Sequence, residues 1–285
     1  MVLIQVIVGG LLLGAIYALF SSGLTLIWGM MNFINFAHGE FVMLGMYVAL
    51  LVVVWAGGGP AAFGLAAAVA LFALGVAVYA LLIRHVVRGP MLAQILSSFG
   101  LALLLRYTAF WIFSANFVSL PSTSLSGTVS LGGIYLPVAQ LVAAIVAITL
   151  TLALHLLLTR STLGSRLLAV AEDRAAAMLM GIRPDRMQAL TWGLSAGAAG
   201  IAGALLATAY PWSPSVGETF GLLAFVTVAL GGFGSVLGSL YAGLIIGLIE
   251  AVSAYWLGAI YKDIVVYGLF VALLWLRPQG LLGKA

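Results

Sequence analysis

Apolar stretches of about twenty residues follow one another along nearly the whole chain, and this leaves few folds open. Each is long enough to cross roughly 30 Å of hydrocarbon as a helix. Hydropathy places them at approximately 2–28, 36–56, 61–83, 91–114, 137–159, 187–210, 219–236, 238–257 and 262–277. The segments 29–40 and 231–238 are rich in glycine and polar groups, so eight and nine crossings are both open. Only 6% of the 285 residues are charged, whereas a soluble domain needs about a quarter to cover its surface. The fold class is therefore all-α: a polytopic transmembrane helical bundle of 8–9 segments, some broken or Gly-rich, in a single domain spanning 1–285.

The net charge of +4 informs mainly through its placement. Arg84 and Arg88 share one short loop, Arg160, Arg166, Arg174, Arg183 and Arg186 another, and Arg277 and Lys284 close the tail. With alternate crossings these nine of the eleven basic residues fall on one side, while the connection 115–136 carries no charge. Lys and Arg accumulate in cytoplasmic loops, so the C-terminus is expected in the cytoplasm; nine crossings put the N-terminus outside. The basic excess is thus an orientation signal and not a nucleic-acid footprint. With no cysteine in the chain, disulfides, thiolate metal sites and Cys nucleophiles are excluded. The first apolar stretch exceeds twenty residues with no basic residue before it, so it reads as a span and not as a cleaved signal peptide.

Three segments differ from plain lipid-facing helix. In the first, Asn32, Asn35, His38, Gly39 and Glu40 put two amides, an imidazole and a carboxylate between two apolar helices. A carboxylate at the bilayer centre costs about 2.5–3.5 kcal/mol on insertion scales, so such groups face a cavity or a partner. The functional reading is a broken helix lining a translocation path; the alternative is an interfacial loop with Glu40 at the membrane edge. Gln94, Ser97 and Ser98, at one end of a Leu/Ala helix, are expected opposite. In the second segment, Gly231, Gly232, Gly234 and Ser235 interrupt a helix or allow close approach, and the spacings Gly234–Gly238 and Gly243–Gly247 suit helix packing. No Lys-Ser/Thr pair follows and no soluble strand precedes it, so a phosphate-binding loop is not expected.

The third segment is the charged loop of about 160–186. Within it, 167–182 reads as a short helix whose Ala175, Met178, Leu179 and Ile182 form an apolar stripe, ended by Gly181 and Pro184. Such a helix can lie on lipid or dock in a groove of a soluble partner, and its acidic residues favour docking.

Other chemistries find little support. His38 and Glu40 are two apart, not the i, i+4 spacing that binds zinc from one helix face, and His85 and His155 lie at span boundaries, so no metal site and no intramembrane enzyme are expected. A stand-alone secondary transporter or channel is the main rival; it would use buried carboxylates, for which only Glu40 and Glu250 are candidates, and Glu250 reads better as a helix-end residue. Arg106 is expected to snorkel outward near Tyr107 and Trp111 rather than pair with a carboxylate of another helix.

The run Asn35-Phe36-Ala37-His38-Gly39-Glu40 resembles a signature of permease subunits of high-affinity branched-chain amino acid ABC importers, the LivH type. Ala171-Glu172-Asp173 with Gly181-Ile182 and Asp185-Arg186, the run 231–235, Tyr261-Lys262-Asp263 and the C-terminal 277–283 are similar to later segments of that family, in order along nearly the whole chain. The resemblance implies an inner-membrane permease, not itself an enzyme, passing branched-chain amino acids or related solutes such as urea, amides or aromatic acids. It implies a second permease, identical or sister, two ATP-binding subunits that hold ATP-Mg, and a periplasmic solute-binding protein. No Walker A motif or other cofactor site occurs here, so ATP belongs to partner chains. Ala171, Glu172, Asp173, Arg174, Met178, Gly181 and Ile182 would then couple to an ATP-binding subunit. The loop departs from the commonest pattern of such elements, since Ala176 and Ala177 do not directly follow Glu172.

Overall fold

A computed structural model describes residues 1–121, 127–131, 133–277 and 279–282. Pro278 and Gly283 of the C-terminal motif, Lys284 of the orientation argument, and positions 122–126 and 132 of the uncharged connection lie outside these residues. The helices in chain order are α1 (Val2–Met31), α2 (His38–Ala56), α3 (Pro60–Val86, with a π-helical turn at Tyr79–Ile83), α4 (Met91–Phe113), α5 (Val138–Arg160), α6 (Thr162–Glu172), α7 (Arg174–Leu179), α8 (Pro184–Leu206), α9 (Val216–Gly231), α10 (Val236–Leu257) and α11 (Lys262–Leu276). Two antiparallel strands, β1 (Thr128–Leu131) and β2 (Ile134–Pro137), pair in the connection between α4 and α5. Among the described residues seven helices are long and apolar enough to cross a bilayer, while α9 and α11 have 16 and 15 residues. The protein is a multi-pass helical membrane protein.

Helix α8 is the centre. Its small side chains, Ser195, Ala196, Gly197, Ala199, Gly200, Ala202 and Gly203, let α1, α2 and α3 pack close around it. A Cβ on Gly203 would meet the carbonyl of Val42 in α2, and one on Gly200 would sit 2.8 Å from the Ala67 carbonyl in α3. Trp192, fully buried, fills the space beside Phe33 and Phe41. The two basic loops share one end of the bundle: Arg88, after α3, and Arg174 both pair with Asp185 at the start of α8, at 3.5 and 2.7 Å.

Helices α1 and α10 run antiparallel along a glycine seam. Gly10 and Gly14 face Gly243, Gly247 and Ala251, so the expected Gly243–Gly247 pair is a packing motif. The Gly234–Gly238 spacing is not one. Gly234 lies outside α10 in a left-handed turn (φ 82°) against Gly29, whereas Gly238 faces Gly231. The seam gives a direct test. Gly243→Val places methyl groups against the α1 backbone, and overpacking of this kind costs about 1–3 kcal/mol. A lower melting temperature of the purified protein is expected, with Gly268→Val, where a Cβ meets nothing within 4 Å, unchanged. Equal melting of the two variants would refute the seam.

Candidate functional site

Helix α1 ends at Asn32, which adopts a left-handed conformation (φ 49°) and breaks the helix. Asn32–Ala37 is extended or turn-like, and α2 begins at His38. His38 is fully buried, and its Nε2 lies 2.7 Å from the carbonyl of Phe20, roughly 16 Å back along α1 from Met31. Half the thickness of a bilayer core is about 15 Å, so α2 starts inside the membrane layer and the segment 32–37 climbs to it. Asn35 holds the turn by accepting from the Ala37 N–H at 3.1 Å, and Ser98 of α4 donates to the Ile34 carbonyl at 3.0 Å. Both hydrogen bonds satisfy backbone that a broken helix leaves bare.

A second helix starts at the same level. After α8 the chain turns back through 207–215, where Trp212 and Val118 exchange two backbone hydrogen bonds of 2.9 Å. Helix α9 begins at Val216, and Gly39 packs so tightly on Gly217 and Gly221 that a Cβ there would overlap their backbone. From this level α2 and α9 diverge toward opposite ends of the bundle: Tyr47 of α2 stacks on Phe113, while α9 leads to Phe233 beside Trp28. Both starts carry Gly-Glu: Gly39-Glu40 and Gly217-Glu218.

Arg106 of α4 joins the two carboxylates. Its Nε and Nη2 donate to Glu40 Oε1 at 3.0 and 2.6 Å, and its Nη1 donates to Glu218 Oε2 at 2.8 Å. Arg106 therefore does not snorkel as expected; two carboxylates on separate helices attract it more strongly than lipid headgroups could from this depth. The charges nearly cancel. Two helix N-termini contribute about +0.5 each, Arg106 +1 and the glutamates −2. Among the described residues, Glu40 Oε2, Asn35 Nδ2 and His38 Nδ1 are buried without a protein partner. Glu250 is likewise no free helix-end residue, because it pairs with Lys262 at the start of α11.

The remaining expected site residues divide in two. Asn32, Gly234, Ser235, Ala171 and Glu172 share one cavity of about 570 Å³, together with Trp28, His155 and Leu282. Gly231 and Gly232 do not line it but lead into its Gly-rich wall: Gly232 has φ 97°, Gly234 N–H donates to Thr25 at 3.0 Å, and Ser235 caps α10 by accepting from Gly238 N–H at 3.0 Å. Gln94 does not face the 32–37 segment. Its amide donates to the carbonyls of Val87 and Gly89 and closes the α3–α4 turn. Ser97 lies part-buried on α4 beside Ser98.

The loop helix expected over 167–182 is two helices, α6 and α7, because Asp173 ends one and caps the other by accepting from Ala175 and Ala176 N–H. Arg174 anchors α7 to Asp185 and Gln188, and Gly181 ends the element at φ 77°. Of the expected stripe, Ile182 is half-buried, whereas Met178 and Leu179 are exposed and continue into Met180, so the apolar tip is Met178-Leu179-Met180, with Leu179 90% exposed.

Glu218 is a site residue that the sequence alone does not single out. Its one signal is the repeated Gly-Glu dipeptide, which occurs only twice in the chain.

Residues 6–274 match the family described as branched-chain amino acid transport system / permease component. Relatives include the high-affinity branched-chain amino acid transport system permease protein BraD of Pseudomonas aeruginosa, 32% identical with 99% of this chain and 96% of the relative covered. The protein of that system named LivH in Escherichia coli K12 is 33% identical at the same coverage. The permease protein LivM of the same organism is 30% identical over 94% of this chain and 68% of its own length. No solved structure matches.

The ion cluster makes a sharp prediction. Arg106→Leu strands a buried carboxylate, which typically costs about 3–5 kcal/mol, so yield and melting temperature should fall together. Adding Glu40→Gln should recover most of the loss. A single variant that melts like the parent would contradict the pairing.

Proposed function

The chain belongs to the branched-chain amino acid transport system permease family, and from that premise we propose that it forms one half of the membrane path of an ATP-driven importer. The cargo on this reading is a branched-chain amino acid or a related small polar solute. The second half is another permease chain. Relatives named LivH and LivM occur in one organism under one transport system, which supports a sister subunit over a second copy. The membrane is the bacterial inner membrane, with the α6–α7 end and the C-terminus in the cytoplasm, in keeping with the arginines gathered there. A periplasmic binding protein delivers the solute, and two cytoplasmic ATP-binding subunits hold the ATP-Mg for which this chain has no Walker A motif.

The observation that carries the coupling is the tip of α7. Met178, Leu179 and Met180 stand uncovered while the base of the element is tied by Arg174, Asp185, Gln188 and Tyr79. An apolar tip on a rigid base suits a groove on a soluble partner. A push there reaches Ala171 and Glu172, which line the same cavity as the broken end of α1 and the Gly-rich turn. Nucleotide-driven closure of the partners would so open the inner side, while selectivity rests largely with the binding protein. The solute then needs only weak, transient sites along the path.

Leu179→Asp tests this. The side chain is 90% exposed, so the melting temperature should hardly move, since surface substitutions stay within about 0.5 kcal/mol. ATP-driven uptake by the reconstituted transporter should fall by roughly tenfold or more, a loss of about 1.4 kcal/mol of coupling. Uptake that survives this change, or that proceeds on an ion gradient without any ATPase, favours a stand-alone transporter instead.

A further inference from the structure

Arg106 holds its two carboxylates unequally. Glu40 is 1% exposed and takes both Nε and Nη2 on one oxygen, whereas the Glu218 side chain is 64% exposed and takes a single hydrogen bond from Nη1. Glu218 lies at the level where α2 begins, inside the membrane layer, and an exposed carboxylate there cannot face lipid. A solvated path on that side of α9 is the premise here, and the 64% exposure of the Glu218 side chain is its support.

We propose that the Arg106–Glu218 pair is a recognition point for zwitterionic solutes on that path. The solute's carboxylate replaces Glu218 on Arg106 Nη1, and its ammonium replaces Arg106 on Glu218. This assignment rests on the amino-acid permease reading above. Charge conservation selects the ligand class. The cluster is close to neutral, and a zwitterion entering between its two outer members leaves it so. A simple amine or a simple carboxylate leaves one charge uncompensated in a low-dielectric setting. Glu40 supplies the second observation: among the described residues its buried Oε2 has no protein partner, and it lies against Gly217, at the first turn of the same helix as Glu218. A Cβ at position 217 would occupy the place of that carboxylate, so the glycine keeps room for it. Arg106, fixed by Glu40, stays in position while Glu218 exchanges partners.

Because this chain has no cysteine, Leu222→Cys gives it one thiol, half exposed and one helical turn from Glu218, and labelling is read on this subunit after its separation from the others. The assembled transporter, without its binding protein, is treated with a cationic methanethiosulfonate reagent in the presence of leucine, 4-methylpentanoate or 3-methylbutylamine. Leucine is expected to slow labelling severalfold and the two single-charge analogues not to. Adding Glu218→Gln should raise the leucine concentration needed for half-protection by roughly tenfold or more, the worth of one hydrogen bond to a charged group. Equal protection by either analogue, no effect of leucine, or a half-protection concentration that Glu218→Gln leaves unchanged overturns the proposal. ATP-driven leucine uptake by the unsubstituted transporter with its binding protein is measured alongside. If uptake persists in that case, the permease reading stands and only the site falls; if no amino acid is accumulated, the reading beneath it fails.

Discussion

Everything at the centre of this bundle depends on keeping charge balanced where two helices begin inside the membrane. A buried ion pair is a poor stabiliser, because removing both ions from water costs about as much as their attraction returns. Three ionised groups at one level would be worse without help. Help comes from the backbone: α2 and α9 both turn their positive ends to this level, and each presents a glutamate in its first turn, where the helix dipole favours an anion. Gly39 is the other half of the device. Only without a side chain can the start of α2 rest on Gly217 and Gly221. Each Gly-Glu therefore does two things, allowing the approach with one residue and setting the charge with the next.

The same economy governs the end of the bundle that carries α7. Helix α9 stops at Gly231, and its last carbonyls are not left bare: the N–H groups of Leu281 and Leu282 donate to Leu230 and Gly231 at 2.8 and 3.1 Å. The C-terminal segment thus caps an inner helix and lines, through Leu282, the cavity shared with Glu172 and Asn32. The packing of α1 on α10 reaches this region, where Gly29 of α1 lies against Gly234. The Gly-rich turn and the break in α1 both line the cavity, and both interrupt the regular helical hydrogen-bond ladder.

How much of this is legible in the sequence follows from the range of each signal. Hydropathy is local, and it locates the nine apolar helices found among the described residues, including the short α9, to within a few residues at most ends. The polar break at 32–40 is equally plain, since amides and a carboxylate among apolar residues rarely arise without a cavity or a partner to face. Partnerships are not local. Arg106 is separated from Glu40 by 66 positions and from Glu218 by 112, and nothing near Arg106 distinguishes a paired guanidinium from a snorkelling one. Gln94 has suitable chemistry for a path, but the open carbonyls of the α3–α4 turn are nearer. The loop helix reads as continuous because its apolar spacing outweighs Asp173, a residue whose side chain caps a helix more readily than it continues one.

The distribution of basic residues makes sense only with these pairings in view. Arg106 and Lys262 are the two that fall outside the cationic end, and a free cation in either place would oppose the topology that the other nine favour. Each instead meets a carboxylate on another helix, Arg106 two of them and Lys262 the one at Glu250. An ion paired within the bundle carries little net charge into the membrane's field, so it does not act as a topological signal. The remaining arginines of the two loops lie at the end where Asp185 binds both Arg88 and Arg174, so the loops are fastened to one another as well as gathered on one side. Position of charge, more than its amount, thus separates the residues gathered at one end of this bundle from those paired inside it.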